Sequence, residues 1–127
     1  MLHFDTNALI ALPVWARQGH PIIQRVTGGE PAAASSLVWY EFSVGPLANN
    51  EAAMAMAFLQ RQILPLTLED AELAATIFNE AGRRRVFKTD AVIAAVAIRA
   101  GAHFVTLNRA DFEPFVELGL DLVDALP

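Results

Sequence analysis

Four carboxylates stand in mainly apolar surroundings at separate points of the sequence. They lie in the segments FDTN, WYEF, KTDA and TLNRADF, as Asp5, Glu41, Asp90 and Asp111. An ionised carboxylate among core residues is costly unless it is paired, hydrogen-bonded or bound to a metal. Hard cations such as Mg²⁺ prefer carboxylate and water oxygens, and acids brought together repel one another without a cation. We therefore predict that these acids hold divalent cations.

Polar side chains beside these acids are candidates for a supporting role. Thr6 follows the first acid directly, and Thr106 and Asn108 precede the last one. Hydroxyl and amide groups can orient carboxylates or water around a metal. The alternative, local hydrogen bonding in turns and helix caps, is equally compatible with these residue types.

Other metal ligands are restricted by the composition. The chain has no cysteine, which excludes disulfides, thiolate zinc sites and cysteine nucleophiles. Its histidines, His3, His20 and His103, lack a ligand spacing such as His-x-x-x-His, so we interpret them as structural. Any metal would then be held by oxygen or imidazole, with oxygen favoured.

Basic residues are few but clustered. The net charge of −5 argues against a polyanionic partner, because nucleic-acid binders usually have a basic surface. Without the four candidate ligands, however, 10 of the 14 acids remain against 9 Lys and Arg, a net charge of −1. We predict phosphate contacts beside the acids for Arg83, Arg84, Arg85, Lys88 and Arg109, the alternative being a solvated basic run.

The elements that must position these residues alternate between strands and helices. Short apolar segments predict strands at Leu2 to Phe4, Ala33 to Ser35, Leu64 to Leu66, His103 to Thr106 and Leu120 to Val123. Helical spacing, caps and breakers predict helical segments at Asn7 to Leu12, Pro21 to Thr27, Leu37 to Pro46, Glu51 to Gln62, Thr67 to Gly82, Asp90 to Ala100 and Arg109 to Phe112. The first helical segment is expected to stop near Pro13.

This alternation predicts a mainly parallel sheet covered by helices on both faces. Ligands in such folds gather at the carboxyl ends of the strands, which directs attention to Asp5, Asn108 and Asp111. The length of 127 residues suits one domain spanning 1–127. Apolar stretches are too short to cross a bilayer and no signal-peptide pattern opens the chain, so we expect a cytoplasmic protein.

Four motifs in this order resemble the PIN-domain family, and within it the VapC-type toxins. They are Asp5-Thr6-Asn7-Ala8-Leu9-Ile10, the central Glu41, Thr89-Asp90-Ala91-Val92-Ile93-Ala94-Ala95 and Val105-Thr106-Leu107-Asn108-Arg109-Ala110-Asp111-Phe112. The resemblance covers essentially the whole chain. It implies a three-layer α/β/α sandwich in which the four acids bind Mg²⁺ or Mn²⁺ at the carboxyl edge of the sheet.

The same resemblance implies an activity and partners. The activity is cleavage of single-stranded RNA by water, which leaves a 3′-hydroxyl and a 5′-phosphate. The partners are a cognate antitoxin, whose segment covers the site, and a second copy of the chain in a homodimer. The segment from Glu51 to Leu59, rich in Ala and Met, is a candidate partner surface or part of the core.

Two alternatives stay open at this point. The chain could be a catalytically inert PIN-like binding domain, although the intact acidic set argues against it. It could also be a receiver-like α/β domain. Such a domain would need a pair of acids near the first strand, and the segment from Leu2 to Asp5 contains a single acid, Asp5. Trp39 and Tyr40 are candidates for stacking on a base, and packing between helices is the favoured interpretation.

Overall fold

The central sheet has the strand order β3-β2-β1-β4-β5, with every neighbouring pair parallel. The computed structural model describes residues 1–48 and 50–124. The predicted domain of 1–127 therefore includes Asn49 and residues 125–127, which lie outside the described part. The strands are β1 (Leu2–Phe4), β2 (Ala32–Ser35), β3 (Ile63–Leu64), β4 (His103–Val105) and β5 (Asp121–Leu122).

Helices connect these strands and pack in two groups. The helices are α1 (Thr6–Gln18), α2 (Pro21–Thr27), α3 (Ser36–Val44), α4 (Glu51–Phe58), α5 (Leu68–Glu80), α6 (Lys88–Arg99) and α7 (Arg109–Phe112). Two 3₁₀ segments, Arg85–Phe87 and Glu113–Leu118, lead into α6 and follow α7. Helix α1 packs against α2 and α3, and α5 packs against α6. The predicted α/β sandwich with a mainly parallel sheet is confirmed.

The core includes the two strands β1 and β2 completely. All three residues of β1 and all four of β2 are buried, as expected for parallel strands covered on both faces. The small side chains of β2, three alanines and a serine, allow close approach of helix α6, which contacts this strand. Helix α6 itself buries six consecutive or neighbouring positions, mostly alanine. Small residues on both elements therefore set a short distance between helix and sheet.

Helix α1 corrects the predicted stop near Pro13. The helix continues through this proline to Gln18 and ends at Gly19, whose φ of 63° lies in the left-handed region. An internal proline removes one backbone hydrogen bond and costs about 3 kcal/mol. Leu9, Leu12 and Trp15 are buried along the same helix, and their burial offsets this cost.

Two further elements end earlier than predicted. Helix α4 ends at Phe58 rather than Gln62, because Gln60 and Arg61 adopt φ of 53° and 61° in a left-handed turn. Strand β3 ends at Leu64, since Pro65 has no N–H to donate to a neighbouring strand. In contrast, the capping box predicted at Thr67 is present, with reciprocal bonds to Asp70. Within residues 1–48 and 50–124, no helix has the length and apolarity to cross a bilayer.

His3 in the central strand makes the folding free energy sensitive to pH. Its side chain is 2% exposed, and its Nε2 has no hydrogen-bond partner among the described residues. Burial, reinforced by the positive N terminus, lowers the pKa of His3 to about 4. The unfolded chain binds a proton at this histidine near pH 6.5, whereas the folded chain resists protonation until about pH 4. Stability that is present above pH 6.5 is therefore lost as the pH falls towards 4.

The expected size of this loss is up to about 3 kcal/mol in the free energy of unfolding. Urea unfolding of His3→Gln and of the wild type at several values between pH 7 and 4.5 measures it. We expect a flatter pH dependence in His3→Gln than in the wild type. Equal slopes in the wild type and His3→Gln would contradict the role of His3.

Candidate active site

Asp5 is the most constrained of the four acids. It follows β1 and caps helix α1, where its Oδ1 accepts a hydrogen bond from the Thr6 N–H at 2.8 Å. Its Oδ2 accepts a hydrogen bond from the Thr106 hydroxyl at 2.8 Å, and the residue is only 6% exposed. The carboxylate is therefore both a helix cap and a link between the ends of β1 and β4. A cap alone would not require the second bond from another strand.

Glu41 is joined to Asp5 through Thr6. Helix α3 begins after β2, where the Ser35 hydroxyl accepts from the Val38 N–H and caps it. The helix carries Glu41 to Thr6, whose hydroxyl donates to Glu41 Oε1 at 2.7 Å. Thr6 thus holds Asp5 with its backbone N–H and Glu41 with its side chain. This hydrogen bond places an acid from α3 beside the end of β1.

Asp90 and Asp111 complete the acidic group. Asp90 is half-buried in the first turn of α6, and Asp111 is half-buried in α7. Burial, followed by the negative charges of Asp5, Asp111 and Glu41, raises the pKa of Asp90 to about 6. Burial also raises the pKa of Asp5, with smaller contributions from Glu41 and Asp111, against the lowering effect of its hydrogen bonds. All four acids are thus close enough to act on each other electrostatically.

The acids are not closed around a common point. Within residues 1–48 and 50–124, no three acidic or histidine side chains are arranged to hold one metal ion. The acids can still shift one another's pKa, because charges act over longer distances than the bonds between a metal and its ligands. The donor chemistry, all carboxylate oxygen with excess negative charge, fits a hard divalent cation.

The predicted supporting residues Thr106 and Asn108 act through different groups, a side-chain hydroxyl and a backbone N–H. Thr106 Oγ1 donates to Asp5 and accepts a hydrogen bond from the Asn108 backbone N–H at 3.0 Å. Asn108 therefore supports the site through its main chain, and its side chain is exposed. A residue without a predicted role, Asn7, accepts from the Leu107 N–H through Oδ1 at 3.0 Å. Its place directly after Asp5 and Thr6 was the only sequence signal for this second bridge between α1 and the segment after β4.

The position of these bridges in the sheet is significant. The chain builds β2 and β3 outward on one side of β1, and β4 and β5 on the other. The order therefore reverses between β1 and β4, and Asp5 and Thr106 lie at the carboxyl ends of these two strands. In open α/β sheets, such a switch point is where ligands bind.

The predicted RNA-binding residues have different surroundings. Arg83 donates to Asn79 Oδ1 at 2.9 Å, and the Arg84 guanidinium lies 5.1 Å from the centre of the Phe87 ring. Arg85 and Lys88 are exposed. Arg109 is half-buried and donates to the Val123 carbonyl, so it fastens the segment after β5 to α7.

Trp39 and His20 have structural surroundings, whereas Tyr40 is exposed. Trp39 is half-buried with its ring centroid 5.4 Å from that of Phe42, whereas Tyr40 is 65% exposed. His20 caps α2 by accepting from the Ile22 N–H, and its ring stacks on Trp15 with centroids 4.4 Å apart. His103 pairs with Asp121 at 2.7 Å across β4 and β5.

Helix α4 contributes to an apolar groove rather than to the acidic site. The groove has a volume of about 250 Å³ and lies among α1, α2, α3 and α4. Ala55 of α4 is buried, and Met54 is 58% exposed at the groove. The Ala- and Met-rich segment therefore has both a core side and a surface side.

A PIN-domain family profile matches residues 3–118. The chain therefore belongs to the PIN-domain family, which is a family of nucleases. Comparison with curated protein sequences found no significant match.

Solved structures with this fold include several toxin–antitoxin complexes. A toxin–antitoxin complex from Klebsiella pneumoniae matches with a TM-score of 0.67 and 26% identity, over 88% of this chain and 90% of that one. DNA-bound VapBC from Salmonella typhimurium matches with a TM-score of 0.69 and 20% identity, over 96% of each chain. FitAcB from Neisseria gonorrhoeae matches with a TM-score of 0.68 and 17% identity, over 98% and 97%. The resemblance to VapC-type chains is confirmed at the level of the fold.

Proposed function

We propose that the chain is a metal-dependent endoribonuclease and the toxin of a toxin–antitoxin pair. The observation that carries this proposal is the buried Asp5, held by Thr106 and Thr6 and surrounded by the charges of three other acids. Membership of the PIN-domain family supports nuclease chemistry, and similarity to toxin–antitoxin complexes supports the toxin role.

Asp5, Glu41, Asp90 and Asp111 are the residues that would hold Mg²⁺ or Mn²⁺. When bound, such a cation supplies a water of lowered pKa, a polarised phosphoryl oxygen and compensation of charge on the leaving oxygen. Burial, followed by the negative charges of Asp5, Asp111 and Glu41, raises the pKa of Asp90 to about 6, and a bound cation would favour its ionised form again.

The protein's own groups orient the site. Thr106 and the Thr6 N–H fix both oxygens of Asp5, and the Thr6 hydroxyl fixes one oxygen of Glu41. Carboxylates oriented before the substrate arrives need little reorganisation during the reaction. Asp90 and Asp111 come from separate helices, so their carboxylates are positioned independently of Asp5 and Glu41.

The proposed substrate is single-stranded RNA, cleaved by water to a 3′-hydroxyl and a 5′-phosphate. Arg83, Arg84, Arg85 and Lys88 lie just before Asp90, where they would neutralise phosphates next to the acids. Arg109 would add to this charge from α7, although its guanidinium also binds the Val123 carbonyl.

A cleavage assay on purified chain tests the function. The substrates are tRNA, rRNA fragments, messenger RNA and single-stranded DNA of matched length, each in Mg²⁺ or Mn²⁺. We expect internal cleavage of at least one RNA, with 5′-phosphate ends. A chain that binds RNA without cleaving any would instead be the inert PIN-like domain, and phosphorylation of Asp5 by acetyl phosphate would indicate a receiver-like domain.

The proposed antitoxin would bind in the apolar groove among α1, α2, α3 and α4 and extend over the acids. The substitution Met54→Arg tests this groove, because it would place a charge on its apolar surface. We expect a partner that copurifies with the chain from its native host to be lost from Met54→Arg but retained by Ala57→Arg, which changes an exposed residue of the same helix. Equal retention by both variants would remove the groove from the interface.

Sedimentation of the purified chain tests the proposed homodimer.

A further inference from the structure

A second groove lies on the surface between α5 and α6, away from the apolar groove on α4. Its volume is about 370 Å³, within the range of sites that hold small molecules. The side chains on its floor are apolar and belong to both helices, and polar groups stand at one end. The floor includes Ala75, Phe78 and Val92, and the polar end is formed by Asn79, Arg83 and Lys88.

The two cations at this groove keep their positive charge available. Arg83 is hydrogen-bonded to the neutral amide of Asn79, and Lys88 is exposed. Over residues 1–48 and 50–124, the ion pairs within 4.0 Å involve other side chains. Both positive charges therefore remain for an external anion, in a chain whose net charge is −5.

The backbone of Arg83 supports a functional interpretation of its position. Its φ of 59° lies in the left-handed region, although the residue is not glycine. Such a conformation costs of the order of 1 kcal/mol, and residues held in it are common at binding sites. Here the conformation follows Gly82 at the end of α5 and places a guanidinium beside the groove.

We propose that the groove between α5 and α6 binds one unpaired nucleotide of the RNA, next to the nucleotide whose phosphodiester is cleaved. This inference rests on the proposed ribonuclease function and names a subsite for it. The base lies on the apolar floor against Phe78, since a base can stack on any aromatic face. Arg83 and Lys88 bind the adjoining phosphate, and the Asn79 amide faces the polar edge of the base.

The location of Lys88 connects this groove to the acids. Lys88 begins α6 and precedes Asp90 by two residues, whereas Val92 lies one turn further along the groove side of the helix. Residues two positions apart leave a helix on different faces, so Lys88 borders the groove while Asp90 belongs to the acidic group. An extended strand that binds the groove would reach the acids by passing around the N-terminal turn of α6.

The test compares cleavage of a long single-stranded RNA with cleavage of a dinucleotide. The dinucleotide is too short to occupy the acidic group and the groove between α5 and α6 at the same time. Ala75→Leu fills the exposed floor without changing charge, and Lys88→Gln removes a cation. We expect the wild type to prefer the long RNA in kcat/KM, and each variant to reduce this preference about tenfold, mainly through KM. Lys88→Gln should also reduce the salt slope of RNA binding by about 0.7. Ala57→Leu and Arg17→Gln, at exposed positions elsewhere, are the matched controls and should keep the preference.

The outcomes separate the subsite from the function. A wild type that cleaves RNA, with variants that keep the full preference, would overturn the subsite and leave the ribonuclease intact. A wild type that cleaves neither substrate would overturn both. If Ala75→Leu changed the sedimentation mass from dimer to monomer, the groove would be an interface between copies, and the nucleotide proposal would be wrong.

Discussion

Replacing Asp5 by Asn is expected to reduce RNA cleavage at least a hundredfold while leaving the chain folded. The substitution keeps the shape of the side chain and removes the charge that would bind a cation. Asn can still accept the Thr6 N–H as a helix cap, and its NH₂ can donate to Thr106 Oγ1 in place of the bond that Oδ2 accepts, so the fold loses little from this change. In metal-free buffer the thermal unfolding temperature should stay equal or rise, because burial and neighbouring acids already disfavour the ionised form and raise the pKa of Asp5.

Cleavage and thermal unfolding should be measured on one preparation, with and without Mg²⁺. Asp124→Asn is the matched control, since it makes the same chemical change at an exposed residue outside the acidic group. Cleavage near the wild-type rate by Asp5→Asn would reject the proposed site and leave Asp5 as a helix cap. A large fall in unfolding temperature for Asp5→Asn would mean that lost activity reports misfolding rather than chemistry.

Removal of divalent cations is expected to abolish cleavage completely, and Mg²⁺ or Mn²⁺ should restore it. Four carboxylates carry only negative charge and would repel a phosphodiester, so they need a cation to activate water and to neutralise charge on the leaving oxygen. Addition of the cation should also raise the unfolding temperature, because it binds the folded site and relieves repulsion among the acids. Excess EDTA is compared with EDTA already saturated by Mg²⁺, which controls for the chelator itself.

The same measurement has a defined pH dependence. The raised pKa of Asp90, about 6, means that protons compete with the cation at this carboxylate as the pH falls through 6. The Mg²⁺ concentration needed for half-maximal cleavage should therefore rise below pH 6 and change little above pH 7. Undiminished cleavage in excess EDTA would reject the metal-dependent mechanism, whatever the pH profile.

Much of the fold was predictable because short-range signals agreed with the tertiary structure. The strand at Leu2–Phe4 is apolar and directly precedes an acid, and the helix Pro21–Thr27 has proline at its first turn and Gly28 at its end. Pro13 misled the prediction because a local rule cannot include the burial of Leu9 and Trp15 on the same helix. Tertiary packing outweighed the local preference there.

The candidate site was predictable in its acids and less so in its connections. An isolated acid in an apolar segment is visible in the sequence, as at Asp5 and Asp90. The bond between Thr6 and Glu41 depends on how α3 packs beside α1, which no spacing in the sequence specifies. The charge at the groove beside Lys88 was visible as a basic run, but its apolar floor between α5 and α6 was not.

The hydrogen bond between Thr106 and Asp5 joins residues that are 101 positions apart. During synthesis on the ribosome, Asp5 emerges early and remains without this partner until β4 has also been made. Contacts so distant in sequence form late in folding, because the intervening chain must first be ordered. The acidic group is therefore incomplete until the segment from Thr106 to Asp111 has also been made.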